Sequence, residues 1–242
     1  MIECFLMEQE IIAQGRMRLV SRLERFGLPT AAAEALLSRY TLVRYPKHSP
    51  LFGEASPSDV VFAIIGGIVK VYCSRWGEGR ILFELAGPGD LAGYADFSER
   101  LEAAHQSFEA EALTNSIVAL FTRDHIMRVL ERLDAATMIK LTANLNATWM
   151  AVVHRYAQFL GMSLRERLDA VFTELAARFG VADARGVLLT PEIGQEGLAE
   201  MIGGSRPMVN KLLSEMAHEG LIARQGRHYI LRRGAFEPRP GL

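Results

Sequence analysis

The sequence predicts an α+β chain in four parts: N-terminal helices, a small barrel or jelly roll, one long helix, and a C-terminal winged helix-turn-helix. Three observations predict it. Between Thr41 and Thr122, short runs rich in β-formers alternate with glycine-containing turns. From residue 124 to residue 160 there is neither proline nor glycine, and apolar residues recur at helical spacing. Beyond residue 194, two short amphipathic segments meet at Gly203-Gly204 and are followed by a basic hairpin pattern. Half of the 242 residues are hydrophobic, enough for packed cores and too many for a disordered chain.

Residues 8 to 40 read as helical, with a turn at GLPT after which Thr30 is placed to cap the next helix. The β texture follows. VVFAII and IVKVYCS flank Gly66-Gly67, WGEG makes a turn before RILFELAG, and SFEAEAL and SIVALFT join at Thr114-Asn115. The helical stretch that starts at Arg123 carries Met138, Leu141, Leu145, Thr148, Val152 and Phe159 at intervals of three, four and seven residues. A helix of about 25 residues spans about 37 Å, and such a stripe needs either the roll or a second copy of itself as partner. Gly161-Met162-Ser163 breaks it. Ser163 with Glu166 forms a capping-box pattern that opens a helix running to Phe179. The terminal FEPRPGL reads as frayed.

Net charge is −1, so no global field draws the chain to a polyanion. The positive charge is local instead. From Gly204 to Ala235 six basic residues face two acidic ones, a local charge of +4. Gln195 to Ile202 forms the first short helix, Gly203-Gly204 the turn, and Ser205 caps a second helix in which Pro207 is tolerated within the first turn. At 100° per residue Val209, Leu212, Leu213 and Met216 fall on one side. Pro207, Asn210, Lys211, Ser214 and His218 fall on the other, with Arg206 at the N-terminal edge. Two helices joined by a tight glycine turn are the arrangement whose second helix enters the DNA major groove. The strand–turn–strand pattern GLIARQGRHYILRR adds a wing suited to phosphate contacts, Arg227 among them.

Here the sequence resembles transcription regulators of the cyclic-AMP receptor and fumarate-nitrate regulator (Crp/Fnr) family. The resemblance runs from about Thr41 to Leu231, and its most specific parts are EGLAEMIGGSRPMVNKLLSEMAHEGLI and VVFAIIGGIVKVY…RILFELAGPGDLAG. With N-terminal helices over 1–40 read from the residues, the resemblance implies a sensory β-roll over 41–122, a double-stranded β-helix of the cyclic-nucleotide-binding type. A dimerisation helix region over 123–161, a winged helix-turn-helix over 163–235 and a flexible tail over 236–242 complete the order. The DNA-binding set is then Ser205, Arg206, Pro207, Asn210, Lys211, Ser214 and Arg227, with Pro207 at a position often occupied by glutamate. The dimer interface is Met138, Leu141, Leu145, Thr148, Val152 and Phe159. Expected partners are double-stranded DNA with a near-palindromic site, a second copy of the chain, and RNA polymerase.

The effector pocket departs from the family pattern. Gly93 is followed by Tyr94 where cyclic-nucleotide binders have glutamate, Gln106 and Ser107 align with their Arg-Ser pair, and Val152-Val153 with their purine-contacting Thr-Ser. Burying a cyclic phosphate without a cation costs on the order of several kcal/mol, so the effector is expected to be something other than cyclic AMP, or absent. No cofactor is expected. Iron–sulfur members need an N-terminal cysteine cluster, and only Cys4 is there. The haem histidine's position holds Tyr94-Ala95-Asp96. His105 and His154 are lone histidines, and Cys73 reads as a small buried hydrophobe.

Two other classes fit less well. A cupin-like enzyme needs about three imidazoles and a carboxylate converging in the barrel, where only His48 and His105 are present. A dimeric adaptor that does not bind DNA would have no use for the local charge. An acidic N-terminus and the lack of an apolar run of about 18 residues point to a soluble, cytoplasmic protein without a membrane partner.

Overall fold

The first helix, α1 (Ile2–Arg25), lies so close to the strand beneath it that only glycine fits at the crossing. A Cβ on Gly15 would sit 2.2 Å from the carbonyl oxygen of Ile65. The computed structural model describes residues 2–53, 60–74, 80–92, 108–232, 234 and 236, and the chain divides into two units, residues 1–150 and 151–242. In the first unit, α1 and α2 (Thr30–Leu36) cover one face of a β-roll. Replacing Gly15 by alanine should push α1 off the sheet. We expect a loss of about 1–3 kcal/mol in urea unfolding, where an exposed Gly→Ala change within a helix would stabilise.

The roll has β1 (Thr41–Tyr45), β2 (Pro50–Phe52), β3 (Val60–Gly66), β4 (Val69–Ser74), β5 (Arg80–Ala86), β6 (Leu91–Ala92), β7 (Phe108–Ala112) and β8 (Ser116–Thr122). They pair antiparallel in two four-stranded sheets, ordered β1-β8-β3-β6 and β2-β7-β4-β5. Neighbours distant in sequence are the mark of a jelly roll. Strand β3 shows why VVFAII is apolar throughout. Phe62 and Ile64 point into the roll with Val69, Val71, Ala110, Ala112 and Val118, while Ala63 and Ile65 point outward to Leu19, Leu28 and Leu37 of the helical layer. A strand buried on both faces loses the polar alternation of a half-buried one.

The second sheet alternates differently. Its outer face carries Lys70, Tyr72, Glu109 and Glu111. Lys70 Nζ donates to Tyr72 OH at 3.1 Å and to Glu111 Oε1 at 3.2 Å, and Arg80 stacks 3.8 Å above the Tyr72 ring. Burial raises the Glu111 carboxyl, but the hydrogen bond and charge of Lys70, with His48 and Arg80, outweigh it and hold the group below its ordinary value. Such a carboxylate stabilises the fold above the unfolded-state value, and the contribution is lost as pH falls through the folded one. The stability difference between the parent and Glu111→Gln should therefore be full at pH 7 and shrink below a pH of about 4.3, as read by urea unfolding across that range.

After the roll, α3 (Arg123–Leu130) and α4 (Ala135–Gly161) are separate helices, where the sequence reads as helical throughout from Arg123. Asp134 accounts for the restart: its carboxylate accepts the Thr137 backbone N–H at 2.7 Å, an N-cap that also holds its own pKa down. The Thr30 expectation is corrected. Pro29 is the N-cap of α2, and Thr30 Oγ1 donates to Glu24 instead. At the other end of α2, His125 Nε2 lies 3.0 Å from the Leu36 carbonyl, tying α3 to that helix.

The second unit begins within α4, and its next helix is α5 (Leu164–Phe179), begun by the Ser163–Glu166 capping box. Then come β9 (Gly180–Asp183), β10 (Gly186–Leu189), α6 (Gln195–Ile202), α7 (Arg206–His218), β11 (Ile222–Gln225) and β12 (His228–Arg232). The hairpin β9–β10 is an addition to the sequence reading. It extends the wing into a four-stranded sheet, β11-β12-β10-β9. Leu168, Phe172 and Leu175 of α5, Leu198 and Ile202 of α6, and Tyr229 and Ile230 of β12 are buried in this unit. The ring of Phe236, the first residue of the expected tail, lies 5.8 Å from that of Phe172. Residues 237–242 are outside the described residues.

Candidate nucleic-acid interface

Gly203 makes the turn between α6 and α7. Its φ of +67° is left-handed backbone that glycine adopts without a Cβ penalty, and the Gly204 N–H closes on the Ala199 carbonyl at 3.0 Å. Val209, Leu212, Leu213 and Met216 of α7 are all buried, which turns the opposite side of the helix to solvent. Ser205, Arg206, Pro207, Lys211 and Ser214 are exposed there.

Each predicted contact residue has a distinct local state. Arg206 has no hydrogen bond or ion pair among the described residues. Lys211 Nζ is 3.9 Å from Glu215 Oε1 one turn on, an exposed pair worth little. Ser205 holds the N-cap position without the side-chain capping bond the sequence suggested. Pro207 in the first turn removes one of the N–H donors such a cap would serve, and the hydroxyl stays available. Ser214 Oγ donates back to the Asn210 carbonyl at 2.9 Å, while Asn210 Oδ1 is buried without a partner. Asn210 therefore faces partly inward. On the wing, Arg227 lies 3.6 Å from Glu192 Oε2 and is otherwise exposed. Met208, exposed at 42 %, joins this surface although its residue type gave no polar signal.

The other predicted sets fare unevenly. Gly93, Tyr94, Gln106 and Ser107 lie outside the described residues, as do His105 and the WGEG turn. The described interior of the roll is apolar, with Phe52 packed on Phe62 and Phe83 edge-on to Phe108. Cys73 is half-buried, and burial pushes its thiol above the ordinary value, away from a reactive thiolate. On α4, Leu141 packs against the N-terminal core cluster and so is engaged within its own chain. Phe159 lies under the Arg167 guanidinium, 5.4 Å from ring centroid to charge. Met138 and Val152 are half-buried and Thr148 is exposed. The large exposed apolar groups of this helix are Ile139, Leu145, Trp149, Met150, Val153 and Leu160. Trp149, one position beyond the predicted Thr148, is exposed and was not singled out by the spacing argument.

A jelly roll followed by a winged helix-turn-helix with one cationic, solvent-facing side defines a DNA-binding transcription regulator. Residues 42–133 match the cyclic nucleotide-binding domain and residues 166–238 the Crp-like helix-turn-helix domain. The chain belongs to the Crp/Fnr family of transcription regulators and is not an enzyme. It is 28 % identical over 213 residues to the CRP-like cAMP-activated global transcriptional regulator of Mycobacterium tuberculosis, covering 85 % of this chain and 90 % of that one. To the cyclic AMP receptor protein of Thermus thermophilus it is 27 % identical over 206 residues, covering 81 % and 86 %. The structure of FixK2 from Bradyrhizobium japonicum shares the fold, with a TM-score of 0.66 at 22 % identity over 81 % of this chain and 93 % of that one. Among the described residues no helix is long and apolar enough to cross a membrane.

Proposed function

We propose that this regulator works as a cytoplasmic homodimer that places one α7 helix in each of two successive major grooves of a near-palindromic operator. The observation that carries this reading is the exposed side of α7, where Arg206 and Lys211 stand about 7.5 Å apart along the axis over a buried apolar face. Arg206, without a competing carboxylate, presents a rigid fork for guanine O6 and N7. Lys211 presents a point charge to the same atoms. Met208 offers an apolar surface to a thymine methyl. Ser205 at the helix N-terminus, and Arg227 on the wing, face the phosphates. RNA polymerase is the protein partner this role implies.

The signal is proposed to enter through the roll and to differ from cyclic AMP. The two relatives named above carry cyclic AMP in their names. Here glutamine stands at Gln106, where the binders' arginine meets the phosphate, and valines stand at Val152-Val153. A weakly polar ligand, or none, suits an apolar interior better than an anion does.

Selection of bound duplex from a random pool tests the DNA reading. The expected product has two inverted half-sites about 34 Å apart, centre to centre; enrichment of a lone half-site, or no enrichment, would overturn it. Adding cyclic AMP to protein stripped of small molecules should leave operator affinity unchanged, and a rise would refute the effector proposal.

A further inference from the structure

Two arginines in the first turn of α5 hold the end of the long helix and both helices of the helix-turn-helix. Arg167 Nε donates to the carbonyls of Phe159 at 2.9 Å and Met162 at 3.2 Å, at the C-terminus of α4. Its Nη1 donates to the carbonyl of Ile202 at 3.1 Å, in the last turn of α6. Two residues earlier, Arg165 holds Glu219, the C-cap of α7, through Nη1 at 3.3 Å and Nη2 at 2.7 Å, with its Nε on Asp169.

The last carbonyls of a helix have no partner inside it. A single guanidinium here satisfies carbonyls from two helix ends at once, and its charge lies over the Phe159 ring. Neither α4 nor α6 can turn about its axis without giving up one of these bonds. Lysine cannot replace the group, because a flexible ammonium lacks the fixed fork that reaches two directions. At the far end of the recognition helix, the Arg165–Glu219 pair is bidentate, the geometry in which an exposed ion pair has directional hold. The hydrogen bond from Arg165 draws the Glu219 carboxyl below its ordinary value, so this arm is charged throughout the neutral range.

We propose that Arg165 and Arg167 form a clamp that fixes the direction in which α7 departs from the end of α4, and thereby the half-site spacing the dimer accepts. Both are positioning residues. The inference rests on the dimeric reading above, and goes beyond it by naming what sets the spacing. One base pair added between half-sites moves the second by about 3.4 Å and turns it by about 34°. A rigid connection rejects that change, and a loose one absorbs it.

The experiment uses the full chain, a selected operator, the same operator with spacers altered by one and two base pairs, and a duplex carrying a single half-site. The parent should prefer the native spacing by tenfold or more, a difference of about 1.4 kcal/mol. In Arg167→Met the preference should fall below about threefold while single-half-site affinity stays within about twofold, and Arg167→Lys should behave like Arg167→Met rather than like the parent. Glu219→Gln alters an exposed group and Arg165→Gln a half-buried one, and neither touches the Arg167 bonds, so they give the same readout if Arg167 variants do not fold, with a smaller shift in the same direction. Retained spacing preference in the variants, or an equal loss on the single half-site and the full operator, overturns the clamp. Lack of any preference in the parent for two half-sites over one overturns the dimeric reading and the clamp with it.

Discussion

Trp149→Glu combined with Val153→Glu should turn the protein into a folded monomer whose operator affinity is about 10²–10⁴-fold weaker than the parent's, the range by which linking two sites raises apparent affinity. Both side chains are exposed, at 54 % and 45 %, so placing glutamate there removes little from the chain's own packing. They lie one helical turn apart on α4, with Leu145 a turn before and Leu160 two turns beyond, all solvent-facing. Apolar residues repeated along one side of a helix of 27 residues are the pattern of a helix that pairs with a copy of itself. Two carboxylates facing two more across a symmetric interface repel each other where they cannot be solvated. Sedimentation velocity at micromolar concentration reads the oligomer, and thermal unfolding confirms that the monomer is folded. A variant that stays dimeric shows that this stripe is not the interface.

The same helix shows what the sequence conveys and what it hides. A period of three and four residues is visible in Met138, Leu141, Leu145 and Val152, but the period does not say which partner the stripe meets. Leu141 turns to its own core because Asn144 Nδ2, one turn later on the neighbouring face, donates to the Phe26 carbonyl at 2.9 Å and seats this end of α4 on the N-terminal helices. That contact joins residues 118 apart, beyond any local pattern. Recognition helix α7 was legible because its apolar and polar sides separate within 13 residues and a glycine turn precedes it. The roll was legible as strands and not as an order, since β1 pairs with β8 and β2 with β7 through contacts far apart in sequence. Hairpin β9–β10 was missed because α5 runs into it with no loop between, leaving only Gly180 at the helix end and the Gly186 turn as punctuation. The clamp was equally invisible: Arg165 and Arg167 read as ordinary charges in a helical first turn until Glu219 and Ile202 are brought beside them.

Arg206→Ala should cost about 1–3 kcal/mol at each half-site of the selected operator and relax preference at one base position in each. With two copies in the dimer the loss is counted twice, once per half-site, unless the groove rearranges around the gap. The exposed Arg206 guanidinium has no partner among the described residues to leave on binding, so the full value of a bidentate base contact should register. Arg227→Ala provides the contrast. Its guanidinium must first leave Glu192, 3.6 Å away, and its expected partner is a phosphate that looks alike in every sequence. That variant should weaken binding evenly across sequences and reduce the slope of log affinity against log salt by about 0.9 for each phosphate it no longer neutralises. Arg206→Ala should instead change which sequence is selected. Measuring both variants on the operator, on single-base substitutions of it and on unrelated duplex, between about 50 and 200 mM salt, separates base reading from phosphate holding. If Arg206→Ala lowered affinity for all duplexes alike, its side chain would be holding the backbone, and the base-reading role would pass to Lys211 and Met208 on the same exposed side of α7.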